Sequence, residues 1–108
     1  MKNIQAHAGI LEYLRTLPQK DQKRMISVAS RPLVNCLSEI CLNLIKQNIP
    51  LSPADISKLK KYEKEIRMLA NRKVSLKRRK QVVTRGGVLS TLISILPSII
   101  GGLISSLN

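Results

Sequence analysis

The sequence contains no Phe and no Trp, and its only aromatic residues are Tyr13 and Tyr62. A core must therefore come from Leu, Ile, Val and Met, which favours helix-on-helix packing over an aromatic-rich sandwich. Histidine occurs once, at His7, with no acid or cysteine close in sequence. No metal-ligand spacing, nucleophile elbow or phosphate-binding loop of a recognised kind is present. Glu63 and Glu65 stand two apart on a helix and do not face each other. The inventory argues against an enzyme and implies no catalytic residue, cofactor or metal. The two cysteines, Cys36 and Cys41, lie about 140° apart around a helix and are poorly aimed for a disulfide. They read as small buried hydrophobes in a reducing compartment. The N-terminal residues lack the apolar core of a secretory signal, so export by that route is not expected.

Acidic residues are the other scarcity. Six Asp and Glu stand against 19 Lys and Arg, for a net charge of +13, and such an excess is a statement about anionic partners more than about fold. The charge is unevenly spread. Residues 1–53 carry seven basic residues against three acids, residues 54–85 carry twelve against three, and residues 86–108 carry no charge. No acid occurs between Ile66 and Arg85, so nothing local in sequence neutralises that window. At 108 residues the chain has room for one small domain and a tail.

What is present follows helical periods. Ile10, Leu11, Leu14 and Leu17 predict an amphipathic helix over residues 3–17, closed by Pro18. Asp21 is placed to cap a second helix with Met25, Ile26 and Val28 on its apolar side. Arg31-Pro32 marks a boundary, since proline suits a first helical turn and disfavours helical geometry before it. Leu33, Val34, Leu37, Ile40, Cys41, Leu44 and Ile45 then predict a central core helix ending near Gln47-Asn48. Ser52-Pro53-Ala54-Asp55 resembles a capping box with Asp in place of Glu. Ile56, Leu59, Tyr62, Ile66 and Leu69 follow at three- or four-residue steps on one helix that reaches Arg72. Ser75 predicts the cap of a fifth helix, residues 76–85, with Gly86 as its left-handed terminus and Gly87 as a flexible exit. The fold class expected is all-α: a small bundle of four to five short helices, with a basic helix and an apolar C-terminal helical tail. Its divisions are a platform over residues 1–72, a basic segment with its Gly-Gly junction over 73–87, and a tail over 88–108.

The basic set Arg72, Lys73, Lys77, Arg78, Arg79, Lys80 and Arg85 suits a polyanion. Neutralising phosphates releases counterions and gives affinity without reading sequence. The tail contains Leu89, Leu92, Ile93, Leu96, Ile99, Ile100, Leu103 and Ile104, with Ser90, Ser94 and Ser98 four apart and Gly101-Gly102 extending a stripe of small residues. Pro97 is placed to kink it. Three readings of the tail stay open: a core helix, a membrane-spanning segment, and membrane insertion or helix association through the Ser/Gly stripe, which would permit oligomers.

The segment Thr84-Arg85-Gly86-Gly87-Val88-Leu89, preceded by a basic run and followed by an uncharged Leu/Ile tail, resembles the C-terminal part of adenoviral core protein X, the precursor of the mu peptide. In that family a basic, DNA-condensing segment ends in a Gly-Gly cut by the viral cysteine protease, and an apolar segment follows. The wider pattern resembles the small core-protein frames of adintoviruses and Polintons. It takes in Cys36 to Leu44, Asn48-Ile49-Pro50-Leu51-Ser52 and Lys73-Val74-Ser75-Leu76-Lys77-Arg78-Arg79-Lys80, with the Gly-Gly-apolar end.

The resemblance implies a virion core or minor capsid protein, present in the virion and the host nucleus, that binds the viral double-stranded DNA without sequence preference. It implies capsid proteins and the viral cysteine protease as partners, a cleavage site at Gly86, Gly87 and Val88, and a released tail that meets membrane or capsid. Two alternatives from other classes remain. One is a tail-anchored or membrane-perturbing basic protein whose charge sits on anionic headgroups. The other is a helix-turn-helix regulator built from residues 53–72 and 75–85.

Overall fold

The computed structural model describes residues 2–99, with side chains from Ile4 onward. These residues form α1 Lys2–Ala6, α2 Ala8–Arg15, α3 Gln19–Ser27, α4 Arg31–Ile45, α5 Pro53–Lys60, α6 Glu63–Ala70, α7 Leu76–Thr84 and α8 Val88–Ser94. A further helical turn covers residues 96–99, and no strand occurs among the described residues. The fold is all-α, as composition and periodicity imply.

Local chemistry sets several of the boundaries. Ser52 and Ser75 both act as N-caps: Ser52 Oγ accepts from the Asp55 N–H and Ser75 Oγ from the Arg78 N–H, each at 3.2 Å. Each bond satisfies one of the donors that a helix start leaves without an intrahelical partner. Pro32 and Pro53 occupy first turns, where a missing N–H removes nothing. At the far end of α4 the Gln47 N–H bonds to the Leu44 carbonyl at 3.2 Å and the Asn48 N–H to the Asn43 carbonyl at 3.0 Å. This is a Schellman closure, and its left-handed residue is Gln47, at φ 58°, in a position usually given to glycine. Gln22 fastens the α2–α3 corner, donating from Nε2 to the carbonyls of Leu14 at 3.0 Å and Leu17 at 3.2 Å.

Other boundaries differ from those expected. The first segment breaks at His7 into α1 and α2, and the His7 N–H closes the short first helix on the Ile4 carbonyl at 3.2 Å. Pro18, and not Asp21, occupies the cap position of α3; Asp21 lies in its first turn, where its charge suits the helix dipole. Val28, expected on the apolar side of that helix, follows the helix end and is 79% exposed. The helix expected over residues 53–72 is two, parted at Lys61 and Tyr62, where the Tyr62 N–H closes α5 on the Leu59 carbonyl at 2.9 Å. The break turns Ile56 out of the stripe that holds Leu59, Ile66 and Leu69, and leaves it 44% exposed. Ile56, Ile45 and Leu44 instead line a groove of about 560 Å³ between the end of α4, the loop after it, α5 and α6.

The core is continuous. α4 is its spine and packs most extensively on α6, with α1 and α7 also against it, while α3 lies on α7. α8 closes the assembly against α2, α3, α5 and α7. This corrects two expectations about the tail. The limits after residues 72 and 87 are not packing boundaries, because Val82, Val83, Val88, Leu89 and Leu92 belong to the same buried cluster as Leu11, Ile26, Leu37, Ile40 and Leu69. Leu89, Leu92, Ile93, Leu96 and Ile99 are buried in that core, as the core-helix reading of the tail has it and the lipid-facing and helix-association readings do not. The physical reason is that α2, α3 and α7 are too short to cover one another, and an apolar helix from the same chain removes their surface from water. No single helix among the described residues is long and apolar enough to cross a membrane. The helix stops at Ile95, before Pro97. Ile100, Leu103 and Ile104 lie outside the described residues.

Removal of α8 therefore uncovers the core. Leu92→Ala is expected to lower unfolding free energy by about 2–5 kcal/mol in denaturant titrations, and deletion of residues 88–108 is expected to reduce the helical circular dichroism contributed by the rest of the chain. A truncated chain that keeps that signal would show a self-sufficient platform.

Cys36 and Cys41 are both buried in α4. Burial, with the Glu39 carboxylate as a second cause at Cys36, pushes each thiol up from 9.0 to about 12. A folded-state pKa above the unfolded one means that this stability is fully present below about pH 9 and is lost as pH rises toward about 12. Denaturant midpoints measured from pH 8 to pH 11 should fall more steeply for the native chain than for the Cys36→Ala, Cys41→Ala double variant, and equal slopes would remove the thiols as the cause.

Candidate functional site

The densest positive charge in the sequence runs through the end of α6, the loop of residues 71–75, and α7. That loop has defined geometry. Asn71 Oδ1 accepts from the Lys73 N–H and the Asn71 carbonyl from the Val74 N–H, both at 3.0 Å. This Asx-type turn delivers the chain to the Ser75 cap and so fixes the direction in which α7 departs. With Val82 and Val83 buried on its inner side, α7 has one committed face.

The seven basic residues expected to meet an anion do not act together. Lys73, Lys77, Arg78 and Arg85 are exposed. Arg72 is exposed and lies 3.9 Å from a Glu39 carboxylate oxygen of α4. Lys80 is half-buried and donates from Nζ to the Ser27 carbonyl at the end of α3, at 3.3 Å, where a cation complements the helix dipole. Arg79 is a correction: it is 1% exposed and turned into the α4–α7 contact. Its Nη1 donates to Asn35 Oδ1 at 2.9 Å and to Ser38 Oγ at 2.8 Å. Burial first, then the neighbouring charges of Arg31 and Arg72, pulls its pKa below the ordinary guanidinium value. Arginine titrates so far above neutrality that it stays a cation at physiological pH.

The interior has a physical reason to accept Arg79. Residues 79, 82 and 83 occupy one face of α7, at three- and four-residue steps, so a helix that buries both valines must also turn residue 79 inward. Asn35 and Ser38, three apart on α4, supply acceptors there. Sequence reasoning missed both. The available signal was Ser38, a polar residue flanked by Leu37, Ile40 and Cys41 on the apolar stripe of α4, since a buried hydroxyl needs a polar partner.

Between α6 and α7 the structure also forms a furrow of about 300 Å³, lined by Tyr62, Lys64, Glu65, Met68, Arg78, Val82, Arg85 and Gly86. Lys64 and Tyr62 were not among the expected site residues. They reach it because the α5–α6 break brings Tyr62 beside the Gly-Gly junction. The junction is exposed at Gly86 and packed from Gly87 onward. Gly86 takes φ 60°, which a side chain would strain, and a Cβ on Gly87 would stand 2.6 Å from Tyr62 Oη. Gly87 is thus a close-approach glycine where a flexible exit was expected, and Val88, the first residue of α8, is 1% exposed. Among the described residues no group of His, Cys, Asp and Glu could hold a metal ion.

The arrangement offers an exposed basic set, Lys73, Lys77, Arg78 and Arg85, with Lys64 beside it in the furrow. It can hold phosphates through charge-assisted contacts. It lacks a carboxylate pair or an activated nucleophile. No protein-family model matches the chain, and neither the curated proteins nor the solved structures yield a match.

Ser38→Ala tests the buried arginine. It leaves the guanidinium with one fewer acceptor, and hydrogen bonds to charged groups contribute about 1.5–3 kcal/mol. A loss of that size is expected in chemical unfolding, whereas an unchanged midpoint would mean that the charge finds another partner.

Proposed function

We propose that the chain is a virion core or minor capsid protein that binds double-stranded viral DNA without sequence preference. One observation carries the binding part: from Ile66 to Arg85 the chain has no acid, and Lys73, Lys77, Arg78 and Arg85 from that window are exposed. Such a face gains affinity by releasing counterions from phosphates. Sequence readout would need side chains held against base edges in a groove, and the exposed positions of α7 offer mainly Lys and Arg. The virion part rests on the resemblance of Thr84-Arg85-Gly86-Gly87-Val88-Leu89 and its flanks to the adenoviral core-protein pattern. Capsid proteins, the viral cysteine protease, and the virion and host nucleus as locations belong to the same reading.

Release of the tail takes a specific form on this reading. Gly87 packs on Tyr62 and Val88 is buried, so a protease that needs an extended strand has to wait until α8 undocks. Undocking would present Leu89, Leu92, Ile93 and Leu96 together, which is the state in which they could meet membrane or capsid.

The test is DNA retention by the full chain over a salt series, on duplexes of unrelated sequence. Equal affinity across sequences and a steep fall with salt are expected. Replacing Lys73, Lys77, Arg78 and Arg85 by Gln should shallow the log–log salt slope by about 0.9 for each phosphate no longer neutralised. A preferred sequence would favour a helix-turn-helix regulator, and an unaltered slope would remove this face as the binding surface.

A further inference from the structure

Arg79 poses a charge problem that the fold does not resolve. A buried cation costs free energy unless paired, yet its hydrogen-bond partners are neutral, Asn35 and Ser38, and its Nε has no partner. The stripe of α4 that receives it begins with a second cation. Arg31 opens α4, and Asn35 lies one turn beyond it on the same side. One turn further stand Ser38 and Glu39, and Glu39 brings in Arg72 at 3.9 Å. Three guanidinium-bearing residues thus collect along about two turns of α4, with Glu39 as the acid among them. Arg31 and Arg72 are exposed, while Arg79 is buried where α7 meets α4. The mutual repulsion registers in the lowered pKa of Arg79, to which Arg31 and Arg72 contribute after burial. α4 also begins here with a positive dipole end, and its cap residue Ser30 makes no side-chain bond to it.

We propose that Arg31, Arg72 and Arg79 form an anion site for one phosphate group, held by the exposed guanidiniums of Arg31 and Arg72 over the buried charge of Arg79. Arginine suits this role, because its planar fork meets phosphate oxygens bidentately and is weakly hydrated. The inference rests on the DNA reading for the source of the phosphate, the duplex backbone, and adds to it a fixed anchor on the flank of α7 that meets α4. Arg31 lies far in sequence from the basic run, so the site would set the orientation of the domain on the duplex where the exposed charges of α7 supply only attraction.

The test follows the arginine Nε–H resonances of the full chain in solution. Inorganic phosphate is titrated against sodium chloride at matched ionic strength. The Arg79 and Arg31 signals are expected to shift saturably with phosphate and not with chloride. Arg31→Gln should abolish the saturable shift while the Arg79 signal keeps its native position, which separates loss of the site from loss of the fold. With duplex DNA, Arg31→Gln should retain binding and lower the salt slope by about 0.9, the equivalent of one phosphate. A shift of equal size in chloride, or a saturable shift that survives in Arg31→Gln, overturns the site. DNA retention without phosphate saturation keeps the DNA reading and overturns the site. Saturation without DNA retention keeps the site as one for free phosphate and removes the DNA reading.

Discussion

A guanidinium inside the protein constrains everything around it. Taking a cation out of water costs several kcal/mol even after relaxation, so the hydrogen bonds that such a group does make are held in place. Arg79 meets Asn35 and Ser38 across the contact between α7 and α4, on the side of α7 that burial of Val82 and Val83 turns inward. With residues 79, 82 and 83 all inward, Lys77 and Arg78 are carried outward. Division of the basic run into an inner and an outer set is therefore a consequence of the helical period and of the valines that share the inner face with Arg79.

The second constraint is shortage of apolar cover. Helices of eight or nine residues bury little surface in pairs, and a chain without Phe or Trp cannot compensate with bulk. α8 supplies the missing layer. Its Leu89 and Leu92 complete the cluster started by Leu11, Leu14 and Ile26, each fully buried side chain contributing about 1.5–3 kcal/mol. The same residues give a membrane reading its plausibility when only composition is considered. Hydrophobicity identifies a segment that avoids water and leaves open whether lipid or protein covers it. In this fold protein covers it, and any membrane role of those residues has to begin with their release.

The sequence was most legible where a single residue type decides a local geometry. Ser52, Ser75, Pro32 and Gly86 act as their chemistry implies, and the central helix falls where its apolar period places it. It was least legible where distant parts of the chain decide. The break at Lys61 and Tyr62 has no proline or glycine to announce it, and its effect is that Ile56 leaves the stripe while Leu59 and Ile66 remain buried. Val28 continues an apolar period on paper but follows the end of α3. In the candidate site, Lys73, Lys77, Arg78 and Arg85 could be read as an exposed basic set, while Arg79 could not be told from Arg78 without knowing which side of α7 faces α4. Tyr62 and Lys64 entered the furrow through that unannounced break, and Arg31 joined the arginine cluster only because the fold brings α4 against α7, far along the chain.

The central claim is that one arginine of the basic run is structural and its neighbours are the DNA-facing charge. Side-chain footprinting of the full chain tests it directly, with arginine- and lysine-specific reagents applied to the free protein and to its complexes with two duplexes of unrelated sequence, followed by mass spectrometry of the modified peptides. The account predicts that Arg79 is unmodified in all three samples. Lys73, Lys77, Arg78 and Arg85 should react in the free protein and be protected equally by both duplexes. Modification of Arg79 in the folded free protein, or protection that leaves Lys77 and Arg78 as reactive as before, would contradict it.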